Sequence, residues 1–141
     1  MDVAFKAFPE YQVLIESFSG RLTREDLWVA IQASWEAPGY DPSFSGMSDL
    51  RRAQIAMSVE EFRLLEGDLF NHPRKAKGQW FWLSDAPLAT AYGLLHEKAT
   101  QHRSPFIVTS TWEAGWNWME KNIPYALLEE VNAARRPLLE L

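Results

Sequence analysis

The sequence predicts an α/β domain with a mostly parallel central sheet of about five strands, covering helices and an extra C-terminal helix. Three observations point there. Apolar strand-like segments alternate with amphipathic segments that open on a capping residue, from Tyr11 to about Trp118. The segment Gln79–Leu83, "QWFWL", is apolar on both faces, as a strand buried between two layers must be. The composition, 47% hydrophobic and 23% charged over 141 residues, suits one domain with a real core.

Val3–Phe8 and Tyr11–Phe18 alternate or run apolar around Pro9-Glu10, which reads as two strands and a tight connection. Gly20 then suggests a turn, and Thr23 with Asp26 a variant capping box. Leu27, Ala30, Ile31 and Ser34 share one face of the first helix, which Trp28 and Trp35 widen. The stretch "EAPGYDPSFSG" ends it, and a short strand is expected over Ser45–Leu50. Ser58 and Glu61 form a full capping box before Val59, Phe62, Leu65, Leu69 and Phe70. "NHPRKAKG" breaks that helix. Ser84-Asp85 is read as the cap of a third helix with Pro87 in its first turn, burying Leu88, Ala91, Tyr92, Leu95 and Ala99. Pro105–Ser110 is the last strand, and Ser110 with Glu113 is read as capping a fourth helix. After Pro124, Leu127, Leu128, Val131 and Ala134 mark a C-terminal helix. The domain is therefore drawn as 1–123, with 124–141 a helical extension packed on the same domain or on a partner.

The segments "YQVLIESFSGRLTREDL", "PGYDPSFSGMSDLRRAQIAMSVEEF" and "TSTWEAGWNWM" resemble the SpoIIAA-like, STAS-type domains, in particular their small stand-alone bacterial members of undefined role. The resemblance runs from Tyr11 to Lys121 and rests on the order of elements and on the glycine and aspartate turns. It implies a βα superhelix and a regulatory or binding role without catalysis. The anti-sigma factor antagonists of that superfamily carry Asp-Ser-Ser-Gly at the start of the second helix, where the second serine is phosphorylated. Those positions fall here on Met57, Ser58, Val59 and Glu60. Val59 replaces the acceptor, which argues against a phospho-switch of that type. Ser58 is read as a helix cap.

Charge and residue types exclude several functions. A net charge of −5 does not suit a nucleic-acid binder. The absence of cysteine removes thiolate chemistry, disulfides and cysteine zinc sites. No signal-like N-terminus and no membrane-length apolar run stand out, so a cytoplasmic protein is expected. His96 and His102 would lie about 240° apart around a helix, too far for shared metal ligation. His72, His96 and His102 all fall at the opposite end of the sheet from Ser58, Ser84 and Ser110, which leaves no serine–histidine pair. No phosphate-binding loop is present. Neither cofactor, metal nor catalytic residue is assigned.

Two groups remain as site candidates. The carboxyl ends of parallel strands gather helix N-termini, and Asp49, Arg51, Arg52, Ser58, Ser84, Asp85, Ser110 and Thr111, with Arg21 and Arg24, fall along that edge as an anion site or as ordinary caps and ion pairs. The other group is the seven tryptophans: Trp28, Trp35, Trp80, Trp82, Trp112, Trp116 and Trp118. Trp80 and Trp82 share a sheet face opposite Phe81. Trp112 and Trp116 share a helix stripe with Met119. The tryptophans are read as core first, then as a dimer interface or an apolar pocket. The functional expectation is a non-enzymatic binding or regulatory module acting on an unidentified protein partner. The alternative is a carrier or sensor of a small apolar or amphiphilic ligand, by analogy with SEC14-type proteins. An enzyme ranks third. A homodimer through the fourth helix or Tyr125–Arg135 is expected. A cavity beside Trp80, Trp82 or Trp116 would favour the carrier.

Overall fold

The computed structural model describes residues 1–141. A six-stranded sheet runs in the order β5-β4-β3-β2-β1-β6. Its strands are β1 (Asp2–Phe8), β2 (Val13–Leu22), β3 (Ser45–Ile55), β4 (Trp80–Leu83), β5 (Phe106–Thr109) and β6 (Arg136–Pro137). The strands from β2 to β5 are parallel neighbours, and β1 is antiparallel to both β2 and β6. The mostly parallel sheet is therefore as expected, with a short sixth strand added where the chain's last residues return to β1.

Two layers cover the sheet. Helices α1 (Arg24–Ser34), α2 (Val59–Phe70) and α3 (Pro87–Thr100) are the crossovers between successive parallel strands, and they bury Leu27, Ala30, Phe62, Leu65 and Tyr92 with Phe18, Leu22 and Leu50 of the sheet. Helices α4 (Trp112–Trp118) and α5 (Ala126–Ala133) bury Trp112, Trp116, Leu128 and Val131 against Val13, Ile15, Met47, Phe81 and Leu83. Phe81 thus faces one layer while Trp80 and Trp82 face the other, as strand alternation requires. Two glycines set the approach of the layers. A Cβ on Gly115 would lie 2.4 Å from the Phe81 ring, so α4 sits on β4 only because that carbon is missing. A Cβ on Gly46 would meet Leu14 O at 2.2 Å and the Trp80 ring at 2.5 Å, so Trp80 lies flat across β3.

Several local expectations need correction. Strand β3 continues five residues beyond Leu50, to Ile55, because its outer half still pairs with β2 out to Leu22. Gly20 is not a turn; it lies within β2 opposite Ala53, with φ +85°, just after a register shift between Ser17 and Ser19. Helix α3 is entered through Ala86, whose side chain makes no cap bond, while the Ser84 hydroxyl pairs with Thr90 Oγ1 at 3.1 Å. Helix α4 is capped by Thr111, which accepts from Ala114 N at 3.2 Å, rather than by Ser110. The buried stripe of α3 is Ala89, Tyr92, Gly93, His96 and Thr100, leaving Leu88 and Leu94 exposed. Gly93 dictates that rotation, since even a methyl there would press on Val108 and Trp82.

Ser58 heads α2 with φ −74° and ψ 167°, accepts from Glu61 N at 3.1 Å, and its own N–H donates to Glu61 Oε1 at 3.0 Å. Both arms of the capping box are made. Ser58→Ala is expected to lower stability by about 1 kcal/mol in urea melts, with the fold unchanged. A loss below about 0.3 kcal/mol would mean that the box adds nothing beyond what water supplies.

Candidate functional site

Strand β2 turns Leu14, Glu16 and Phe18 toward the α1–α3 layer, so a carboxyl enters the core on an otherwise apolar face. Glu16 is 3% exposed. Its Oε1 accepts from Ser48 Oγ at 2.7 Å, and Ser48 Oγ in turn accepts from Trp80 Nε1 at 3.0 Å. Its Oε2 lies 2.6 Å from Ser34 Oγ, which also lies 2.7 Å from Ile31 O. The single Ser34 hydrogen cannot serve both oxygens. A protonated Glu16 resolves this, since it donates to Ser34 Oγ while Ser34 donates to Ile31 O. No cation pairs with this carboxyl. Burial pushes its pKa from the ordinary 4.5 up to about 7, against the opposing pull of the Ser34 and Ser48 hydroxyls.

Beside Glu16 lies a cavity of about 80 Å³ between the sheet and α1–α3. Trp35, Trp80, Trp82, Phe62, Phe106 and His96 form much of its wall. The α2–β4 connection (Lys75, Ala76) and the α3–β5 connection (Ser104) line its other end, at the amino-terminal ends of the parallel strands. His96 is held there by aromatic contact and a hydrogen bond. Its ring stacks parallel to Trp82 and Phe70 at centroid distances of 6.0 and 5.9 Å, and its Nδ1 sits 2.7 Å from Glu66 Oε2. Arg63 donates to Glu66 Oε1 at 2.8 Å. Burial works against ionisation of Glu66, but the bonds from His96 and Arg63 prevail and hold its carboxyl below the ordinary range.

The tryptophans divide between core and cavity. Trp112 and Trp116 meet edge-to-face at 5.4 Å beneath α5, and Trp118 packs at the margin of that cluster. Trp35 is buried and Trp28 lies against its edge at 5.8 Å. Trp80 and Trp82, with Trp35, border the cavity.

The carboxyl-end edge is occupied by its own pairings. Asp49 accepts from Arg51 Nε and Nη2, both at 3.0 Å, and that double contact, with a further bond to Tyr125, keeps the Arg51 guanidinium fully protonated against the cost of its partial burial. Arg24 pairs with Asp68 at 3.2 Å. Ser58 and Thr111 cap helices, and Ser84 bonds Thr90. Arg52, Asp85 and Ser110 stand exposed. No shared anion-binding centre is formed among them. Glu16, Ser48, Glu66 and Lys75 were not singled out from the sequence, although Glu16 could have been. It stands in register between Leu14 and Phe18, where strand alternation demands a buried side chain.

No family model and no curated protein matches this chain. A solved structure does: an uncharacterized protein of the DUF3478 family from Shewanella loihica PV-4, with a SpoIIAA-like fold. It is 15% identical, with a TM-score of 0.55, and the match covers 82% of this chain and 92% of that one. The fold is SpoIIAA-like. No helix in it is long and apolar enough to cross a membrane.

The folded SpoIIAA-like domain retains a proton on Glu16 that the unfolded chain releases between pH 4.5 and about 7. Stability therefore falls as pH rises through that window, by about 3 kcal/mol, and is level above it. Glu66 acts in the opposite sense and at lower pH, since its contribution is lost only as pH falls below the ordinary carboxylate range. Glu16→Gln is expected to flatten the slope and to exceed the parent by roughly 1–3 kcal/mol at pH 8 in denaturant melts. Parallel pH profiles for the two proteins would contradict this.

Proposed function

We propose that this SpoIIAA-like domain is a non-enzymatic binding module whose task is to hold a small apolar or amphiphilic molecule between the sheet and α1–α3. The supporting observation is the cavity itself. About 80 Å³ is left unfilled among side chains that are otherwise close-packed. Its wall is aromatic and rigid, its polar groups are few, and one end adjoins loops rather than helices, which are the attributes of a small-molecule site. Its size corresponds to two or three waters at about 30 Å³ each, so the bound group is short.

This reading takes precedence over a protein-interaction module, because none of the seven tryptophans is exposed and they pack into the core or the cavity. It also takes precedence over an enzyme. Glu16 has a carboxyl near neutrality, but its hydrogen-bonding neighbours are serines already committed, and His96, the histidine that lines the same cavity, is bonded to Glu66.

The test uses the tryptophans in the wall. Titration with 1-pentanol is expected to change intrinsic fluorescence saturably. Ala76→Leu, which fills the loop end of the cavity, is expected to abolish that response while leaving the melting temperature equal or higher. An unsaturable response, or one that Ala76→Leu leaves intact, would overturn the proposal.

A further inference from the structure

The loop end of the cavity adjoins a second, wider bay of about 350 Å³, and the two share Lys75, Ala76 and Ser104. Lys75, Lys77 and Arg103 bring three cations to this bay, which no carboxylate lines. The chain as a whole is acidic, with a net charge of −5, so three unneutralised cations in one recess are a concentration of opposite sign.

Each cation is available. Lys75 is half-buried, and its Nζ bonds only Ala76 O at 3.1 Å and Ser104 Oγ at 3.2 Å, leaving one of its three hydrogens free. Arg103 lies over the Phe70 ring at 4.3 Å, which fixes the guanidinium plane without using its hydrogens. Lys77 is exposed and makes no ion pair, although Asp41 on the α1–β3 connection lies within its field. Burial draws the Lys75 ammonium below its ordinary pKa, a penalty that an anion seated beside it would relieve.

Resting on the ligand-binding reading above, we propose that the ligand is an amphiphile with a compact oxyanion head and a short apolar tail. Its head sits in the bay against Lys75, Lys77 and Arg103, and its tail runs inward along Trp80 and Trp82. The two ends of the combined recess set this orientation. An anionic head turned inward would lie among aromatic rings and the Glu16 carboxyl with no cation to pair with, whereas a head turned outward meets Lys75, Lys77 and Arg103. The tail is limited to about three or four carbons within the cavity by its 80 Å³, with any further carbons lying over Ala76.

The experiment is a set of tryptophan-fluorescence titrations of the full chain with pentanoate, 1-pentanol, pentylamine and inorganic phosphate at low salt. Pentanoate is expected to bind about tenfold more tightly than 1-pentanol, and pentylamine more weakly than either. Raising the salt is expected to erode the pentanoate advantage and leave 1-pentanol unchanged. Lys75→Met, and separately the exposed pair Lys77→Gln with Arg103→Gln, are expected to reduce that advantage, the second pair with 1-pentanol binding retained. Equal affinity for pentanoate and pentanol would overturn the anionic head and leave the ligand-binding module standing. An advantage that survives in both variants would overturn it too. Phosphate binding as tightly as pentanoate would mean a free-anion site that makes no use of the cavity, contradicting the proposal. If neither the alcohol nor the acid binds, the ligand-binding reading falls and takes this inference with it.

Discussion

A carboxyl group sealed inside an apolar layer without a cation is the constraint around which one face of this protein is arranged. Glu16 is tolerated because serines from α1 and β3 reach its two oxygens and because protonation removes the charge that burial penalises. Those contacts tie α1, β2, β3 and, through the Trp80 indole, β4 into one hydrogen-bonded set. Trp80 can lie across β3 to complete the set only because residue 46 has no side chain. Space that side chains would otherwise occupy is left open next to the carboxyl, and the aromatic wall keeps it in shape.

The order of the sheet explains why the recess lies where it does. In open α/β sheets, ligands usually enter at the carboxyl ends of strands, in the crevice where the strand order reverses and helices part to opposite faces. Here the parallel strands follow one another from β2 to β5 without reversal, and α1, α2 and α3 all lie on one face. No such crevice forms, and the hydroxyls and arginines at that edge close on local partners. The opening occurs instead at the other end of the same layer, where α2 and α3 finish and loops carrying Lys75, Lys77 and Arg103 return to the sheet. A cation-lined bay outside and a neutral acid within give the recess a polarity along its length.

Much of this architecture was legible in the residues, and the exceptions have physical reasons. Alternation in β1, β2 and β4, the capping box at Ser58 and the apolar stripe of α5 are local patterns, and local patterns translate directly into elements. The phase of α3 did not, because Gly93 rather than the larger apolar residues governs which face can approach Val108 and Trp82. The caps at Ala86 and Thr111 differ from the expected serines by one or two residues, a displacement that depends on where the preceding strand stops pairing. Splitting the tryptophans into core and cavity required the tertiary arrangement, since Trp80 and Trp116 look alike in sequence. Glu16 was readable in principle from its strand register, but its partners at Ser34 and Ser48 lie 18 and 32 residues away.

The measurement that bears most directly on the account is a ¹³C NMR titration of the Glu16 side-chain carboxyl, alone and with saturating 1-pentanol. The account predicts a midpoint near pH 7 for the free protein and a further upward move when the alcohol excludes the remaining solvent from beside it. A midpoint in the ordinary carboxylate range, unchanged by the alcohol, would contradict both the burial of Glu16 beside the cavity and the cavity's role as a binding site.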